Sequence, residues 1–475
     1  MNPTFPSSRA RRACLALSLG ALVLAGCATP AAAPAQPAVA LPDAWRFAPA
    51  RGGDALSADW WRALGSAELD ALVQQAQAAN PELDAARARL RQARAAVVIA
   101  AAPLWPALDA SASAQRDIYR ADPDNVSAST FRLGLAASYE IDLWGGVRAG
   151  RDSATALWRA SGFDRDAMVL AVTSEVALAW LQTVSLRERL AIARGIVDNA
   201  RGVLRVVEAR HAAGRATRLE LAQQRGLVAT QERAAAQLAQ RGNESLVALA
   251  VLLGRPVGGF DIATTDLSGL RAPGIDASLP ATLLTRRPDL AAAESRLAAA
   301  DADIAVARAL MLPRLTLSAS AGVQADRPRL MFDHPAYALT AGLLAPVFHA
   351  GKLAAGRDLA VARREELLAD YRRAIVAAAG DAELAFSAIA GVAAQRAAQD
   401  DELAQARQAF ALAQRRYQAG AETLLTVLDA QRTLYEAEDS AAQLRVAALQ
   451  AAVLLYKALG GGWRADAGPP ALARR

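Results

Sequence analysis

Few residues in this chain have the type and spacing to do chemistry. It holds three histidines, His211, His334 and His349. None stands at metal-ligand spacing from another or from a cysteine, and all three fall in segments that read as loops or junctions, so no metal site or catalytic triad is expected. The stretches GVRAG (Gly146–Gly150) and GGG (Gly460–Gly462) lack the strand-to-helix setting of a phosphate loop. Catalysis and a metal or organic cofactor are therefore not expected. What remains is one thiol in a biased neighbourhood, Cys27 in LAGC, and carboxylates beside glycines that break two helical patterns. Those patterns are RHAAGRATRLELAQQR (Arg210–Arg225) and RYQAGAETLLTVLDAQR (Arg416–Arg432), in which Gly214 and Gly420 correspond at an offset of 206 residues.

Around Cys27 the sequence reads as a targeting signal. Arg9, Arg11 and Arg12 precede an apolar run from Ala13 to Ala25, and LAGC resembles the bacterial lipobox, whose cysteine is lipidated and becomes the first mature residue. Residues 1–26 then form a lipoprotein signal peptide, and 27–50, rich in proline and alanine, a lipidated tether. Cys14 leaves with the signal, so the mature chain keeps a single thiol and forms no internal disulfide. Ala28, where an aspartate usually means inner-membrane retention, favours the outer membrane. Half of the formal charge of +6 lies in the three signal arginines. No basic cluster with interleaved aromatics remains, which excludes a nucleic-acid reader.

The elements that must carry these residues come in two copies. NPELDAARARL from Asn80 returns as RPDLAAAESRL from Arg287, Pro106 matches Pro313, and Gly254 matches Gly460, all at offsets of 206 or 207. We divide the chain into a first repeat (51–256), an inter-repeat linker (257–285), a second repeat (286–462) and a C-terminal tail (463–475). No proline occurs between Pro123 and Pro256 or between Pro346 and Pro469, so very long helices are predicted there, because interior proline costs about 3 kcal/mol. Leu186, Leu190, Ala193, Val197, Ala200, Leu204 and Val207 form a coiled-coil seam. Leu403, Ala406, Phe410, Ala413 and Tyr417 repeat it in phase. A helix from Ser153 to Arg210 spans about 85 Å at about 1.5 Å per residue. With 53% hydrophobic residues but only 5% aromatic, the composition suits close helix packing.

Each copy also carries a period-two pattern. LDASASAQ (Leu108–Gln115) and TFRLGLAASYEID (Thr130–Asp142) predict a hairpin over 107–142; RLTLSASAG (Arg314–Gly322) and YALTAGLLAPV (Tyr337–Val347) predict one over 313–347. Strands of about ten residues suit a membrane-spanning barrel. In TFRLGLAASYEID, Phe131, Leu133, Leu135, Ala137, Tyr139 and Ile141 share one face. The stretches Arg116–Ser129 and Val323–Ala336 read as exposed loops. No run of about 18 uninterrupted apolar residues offers a spanning helix, and one hairpin per copy cannot close a barrel, so the strands require an oligomer.

These residues resemble the TolC-like outer-membrane efflux proteins, in their NodT-type lipoprotein branch. The resemblance rests on LAGC, WWRALGSAELDALV (Trp60–Val73), LPATLLTRRPDLAAAE (Leu279–Glu294) and RYQAGAETLLTVLDAQRTLYEAE (Arg416–Glu438). It implies a mainly α fold with membrane β: a homotrimer with four strands per chain, a 12-stranded β-barrel continued by a long periplasmic α-helical barrel, and an equatorial belt holding the linker. Pro103, Pro106, Pro313 and Pro346 would mark the strand–helix junctions, and Gly214 and Gly420 the hairpin turns at the far periplasmic end.

The family places a gate beyond the second turn, often with two aspartates three residues apart. Here Asp429 holds the second position and Thr426 the first, with Glu220, which maps onto Thr426, as a candidate second carboxylate. Three Asp429 side chains around an axis would attract cations. Arg215 and Arg218 would contact a periplasmic adaptor protein. The implied partners are that adaptor, an inner-membrane pump of the resistance-nodulation-division type and outer-membrane lipid. The implied function is passive conduction from pump to exterior. The competing reading is a lipid-anchored coiled-coil scaffold or adaptor without a pore.

Overall fold

The computed structural model describes residues 39–48, 56–120, 125–274 and 279–464. Cys27 and the signal peptide lie outside them. Each repeat opens with a proline-started helix after α1 (Ala67–Ala79): α2 (Pro81–Ala101) in the first and α5 (Pro288–Ala309) in the second. Proline suits the first helical position because its missing N–H has no partner there in any case. Asn80 caps α2, its Oδ1 accepting from the backbone N–H of Glu82 at 2.8 Å and of Leu83 at 3.3 Å.

A hairpin follows in each copy, β1 (Ala107–Arg120) with β2 (Asn125–Ile141), and β3 (Arg314–Ala325) with β4 (Pro335–Leu344). The four strands form one antiparallel sheet in chain order. Its register is unbroken, so side chains sort by row. Leu108, Ala137, Ala319 and Leu339 form one row, and Ala110, Leu135, Ala321 and Tyr337 the next. The opposite face carries Ser111, Ser113, Arg132, Gln324, Ser318, Thr316 and Glu140. Apolar on one side and polar on the other is the pattern of a barrel wall between lipid and a wet lumen.

The strands of the first hairpin are longer, and its loop shorter, than the alternation suggested. Much of the stretch read as a loop from Arg116 is paired, from Arg116 with Ser129 to Arg120 with Asn125. Backbone pairing needs no apolar alternation once the register is set, and charged side chains are tolerated beyond the hydrocarbon.

Very long helices come next. α3 (Gly146–Ala212) and α6 (Lys352–Gln418) have 67 residues each, and the return helices α4 (Arg218–Leu252) and α7 (Leu424–Ala458) have 35 each. Both pairs stand 206 residues apart. Asp142 starts α3 by accepting from the backbone N–H of Val147 (3.1 Å) and Arg148 (3.0 Å). Burial raises the Asp142 pKa, but these bonds and the Arg148 guanidinium outweigh it and hold the carboxyl below its ordinary value.

Stretches of α3 and α6 reach mean hydropathies of 1.5 and 1.6 over 18 residues with at most two charges. Each helix is about 100 Å long at about 1.5 Å per residue, over three bilayer cores. Half of the α3 stretch is buried inside the fold.

That burial belongs to the main core. Val172, Val176, Trp180, Leu181 and Val184 of α3 meet Trp60, Leu69 and Val73, with Leu249 and Leu253 from the end of the first hairpin. Ile375, Ala382 and Phe386 of α6 and Val453 and Tyr456 of α7 close it from the other side. The segment between the repeats adds Phe260, Ile262 and Leu267, so this linker is part of the core. Glu68 fastens it: its carboxylate accepts from Trp180 Nε1 (3.0 Å), Thr264 Oγ1 (2.6 Å) and the backbone N–H of Ala263 and Thr264.

Candidate functional site at the helical tips

Each long hairpin reverses at a glycine. After α3, Gly214 has φ 70°, and the N–H of Arg215 returns to Arg210 O at 2.7 Å. After α6, Gly420 has φ 77°, and the N–H of Ala421 returns to Arg416 O at 2.9 Å. The left-handed conformation carries little penalty only for glycine, and it lets the turn satisfy the last helical carbonyls.

The restarts differ between the copies. Thr217 begins α4 with a capping box: Glu220 N–H donates to Thr217 Oγ1 (3.2 Å), and Thr217 N–H donates to Glu220 Oε2 (2.6 Å). The Glu220 carboxylate, a candidate gate charge from the sequence, is thus engaged within its own turn. In α7, Thr426 stands where Glu220 does, and the acid moves to Glu422, which accepts from the Thr423 N–H (3.1 Å) and the Thr426 hydroxyl (3.0 Å). Those two bonds, with Arg416 nearby, hold the Glu422 carboxyl below its ordinary value. Sequence reasoning passed over Glu422, although an acid just before a threonine cap was its signal.

Behind the turns the hairpins join. Val203, Val207, Ala413, Tyr417, Leu424 and Val427 form a buried cluster. Arg210 reaches across it to donate to Tyr417 O at 2.5 Å, with its guanidinium 4.4 Å from the Tyr417 ring centroid. Burial pushes the Tyr417 hydroxyl pKa up, Arg210 draws it back, and the charge of Glu220 adds to the rise. One step further along α7, Gln431 donates to Tyr435 Oη, which in turn donates to Ile196 O at 3.3 Å. Burial pushes Tyr435 up to about 12.

Asp429 lies on the exposed side of α7, paired with Arg432 at 2.9 Å, and both side chains are about two-thirds exposed (68% and 67%). Thr426 is exposed on the same helix, while Glu220 belongs to the other hairpin. Arg215 and Arg218 are exposed at the first turn. The tips also carry two side chains that the sequence reading missed. Leu219 and Leu425, at corresponding positions, are 66% and 69% exposed, placing one large apolar group on each tip. At the other end of the helices, Pro103 lies in the turn Ala102–Leu104, Pro106 precedes β1, Pro313 precedes β3 and Pro346 follows β4. Trp144 Nε1 donates to Pro313 O at 2.7 Å, tying the two junction regions together.

The family model described as outer membrane efflux protein matches residues 72–255 and 279–461, one segment per repeat. The chain belongs to that family. It is 49% identical over 463 residues to the pyoverdine export outer membrane protein OpmQ of Pseudomonas aeruginosa, covering 95% of this chain and 97% of OpmQ. It is 30% identical over 445 residues to the solvent efflux pump outer membrane protein SrpC of Pseudomonas putida, covering 90% and 94%. The open state of the MtrE outer membrane channel of Neisseria gonorrhoeae superposes with a TM-score of 0.83 at 26% identity, covering 90% of this chain and 97% of MtrE.

As an outer membrane efflux protein, the chain is one protomer of a homotrimeric channel. Its four strands supply a third of a 12-stranded β-barrel, and its long helices continue that barrel as a helical tube. It is the outer-membrane component of an efflux or export system, conducting rather than catalysing and using no cofactor. The scaffold reading is thereby set aside.

Proposed function

We propose that this channel is a lipid-anchored duct, closed at rest at the helical tips and completed by a periplasmic adaptor and an inner-membrane pump. On the family resemblance the pump is of the resistance-nodulation-division type. The observation that carries the reading is the separation of the two ends. About 100 Å of helix stands between the sheet end of α3 and its tip, and both tips carry an exposed leucine, Leu219 and Leu425, beside exposed polar groups. A simple pore has no use for such reach; a partner arriving from the inner membrane does. Asp429 is the gate charge, Thr426 its neighbour one turn earlier, and Arg215 and Arg218 belong to the adaptor-facing surface. Cys27 is the lipid attachment site.

For cargo, we infer a pyoverdine-like compound, supported by the 49% identity to a protein named for pyoverdine export. The test is complementation of a strain lacking its own pyoverdine-exporting channel, reading secreted pyoverdine, together with site-specific photocrosslinking from the 219 and 425 positions. Crosslinks to one periplasmic protein and restored secretion are expected. A trimer that inserts and conducts but never crosslinks would overturn the tripartite reading; crosslinking without secretion would overturn the cargo.

A further inference from the structure

The outward face of the sheet is apolar for six rows, from Ile141, Leu315 and Leu343 up to Ala114, Phe131 and Ala325. From Ile141 to Phe131 a strand covers about 34 Å, or about 25 Å of height at a tilt of about 45°, which matches the hydrocarbon band of an outer-membrane barrel. The β1–β2 hairpin continues past this band and past the end of β3. Its outward positions there are Arg116 opposite Ser129, Ile118 opposite Ser127, and then Arg120.

Among the described residues of this projecting hairpin, charge is segregated. Asp117 points to the inner face, where it accepts from Gln115 Nε2 at 2.9 Å, while Arg116 and Arg120 point outward. Among the described residues neither arginine is bonded to Asp117, the adjacent carboxylate, whose two oxygens accept from Gln115. Arg116 lies one two-residue step above the Ala114–Phe131 row, about 5 Å higher along the membrane normal. That is the level at which acyl chains give way to headgroups. Ile118, between the two arginines, is 67% exposed. A guanidinium at such a border meets phosphate bidentately.

We propose that Arg116 and Arg120 bind the phosphate groups of anionic glycolipids in the outer leaflet, one site per protomer and three around the barrel. A lipid rather than a free phosphate is the ligand, because the apolar rows directly below the arginines lie against the acyl chains of the same molecule.

The test is native mass spectrometry of the detergent-purified trimer with bisphosphorylated lipid A and, separately, its dephosphorylated form. The wild type is expected to hold the phosphorylated lipid about tenfold more tightly, a preference worth one charge-assisted pair. The Arg116→Gln/Arg120→Gln double variant is expected to lose it, while Asp117→Asn keeps it and excess inorganic phosphate does not displace the lipid. Should the double variant fail to trimerise, Arg116→Gln alone is read the same way. Equal binding of both lipid forms, a preference that survives in the arginine variants, or displacement by inorganic phosphate would each overturn the proposal.

Discussion

Asn80 and Arg287 occupy corresponding positions in the two repeats, and each donates a hydrogen bond to the last residue of its own repeat's return helix. Asn80 Nδ2 meets Leu252 O at 2.8 Å, and an Arg287 Nη meets Ala458 O at 3.2 Å. The two side chains share no chemistry beyond an N–H, yet both close the loop between the start and the end of a repeat. Beside each lies a glycine with positive φ. A Cβ on Gly254 would stand 2.3 Å from Ala79 O, and one on Gly460 would stand 1.9 Å from Arg286 O. Duplication has kept the contact and let the residue that makes it diverge.

Alanine at Gly460 therefore meets both a left-handed backbone, at about 1–2 kcal/mol, and a carbonyl that has to move. We expect Gly460→Ala to lower the melting temperature of the trimer more than Gly420→Ala does. A Cβ at Gly420 has nothing within 4 Å, so that variant meets the backbone cost alone. Thermal unfolding of the two purified variants checks the order.

Arg287 also pairs with Asp289 (2.8 Å) and Asp381 (3.2 Å), whereas Asn80 additionally caps its helix. Asn80→Ala should cost about 1 kcal/mol through the cap, and Arg287→Ala about 2 kcal/mol through its charge-assisted bonds. Because the residues serve separate repeats, the double variant should show close to the sum. Denaturant titration of the three variants measures it.

Stability should fall in acid for a reason located at the main core. Burial raises the Glu68 pKa, but the bonds from Thr264, Ala263 and Trp180 outweigh it, so the folded value lies below the ordinary glutamate value of 4.5. A depressed carboxylate stabilises the fold above its unfolded pKa and loses that contribution as pH falls through the folded value. Wild-type melting temperature should therefore drop as pH is lowered below about 4.5, and Glu68→Gln should flatten that part of the profile. A parallel drop in both proteins would assign the acid sensitivity elsewhere.

At the tips, Asp429→Asn should reduce cation selectivity in planar-bilayer recordings without altering trimer yield, because its partner Arg432 is exposed and an exposed pair contributes under about 1 kcal/mol. Unchanged selectivity would remove Asp429 from the gate.

Replacing the tip leucines tests the proposed docking surface separately. Leu219→Asp with the crosslinker at 425, and Leu425→Asp with it at 219, alter exposed positions, so folding should be unaffected while adaptor crosslinking falls severalfold. If crosslinking persists, the exposed arginines Arg215 and Arg218 become the next positions to vary.

What could be read from the chain was whatever repeats or recurs locally. Pro81 and Pro288 signalled helix starts because their effect acts on their own backbone. The 206-residue offset was visible in Gly214 and Gly420 before any helix was known. Glu68 gave no such sign: its partners Ala263 and Thr264 lie 195 and 196 residues away, and no local pattern announces a contact that only the folded core creates. Glu220 drew attention through its match to Thr426, while its capping box with Thr217, three residues before it, was overlooked. The paired segment beyond Arg116 escaped because its side chains do not alternate in polarity, although its backbone follows the register of the residues below.

The equality of the helices, 67 residues twice and 35 residues twice, makes length a quantity that the four segments hold in common. Removing two heptads from α3 alone would shorten it by about 21 Å and leave its turn stranded above that of α6. The buried cluster that joins Val207 to Tyr417 would then have no counterpart to meet. A shorter or longer version of this duct can arise only by matched changes in all four helices, so its reach evolves in whole steps, as the rungs of a ladder must be cut from both rails at once.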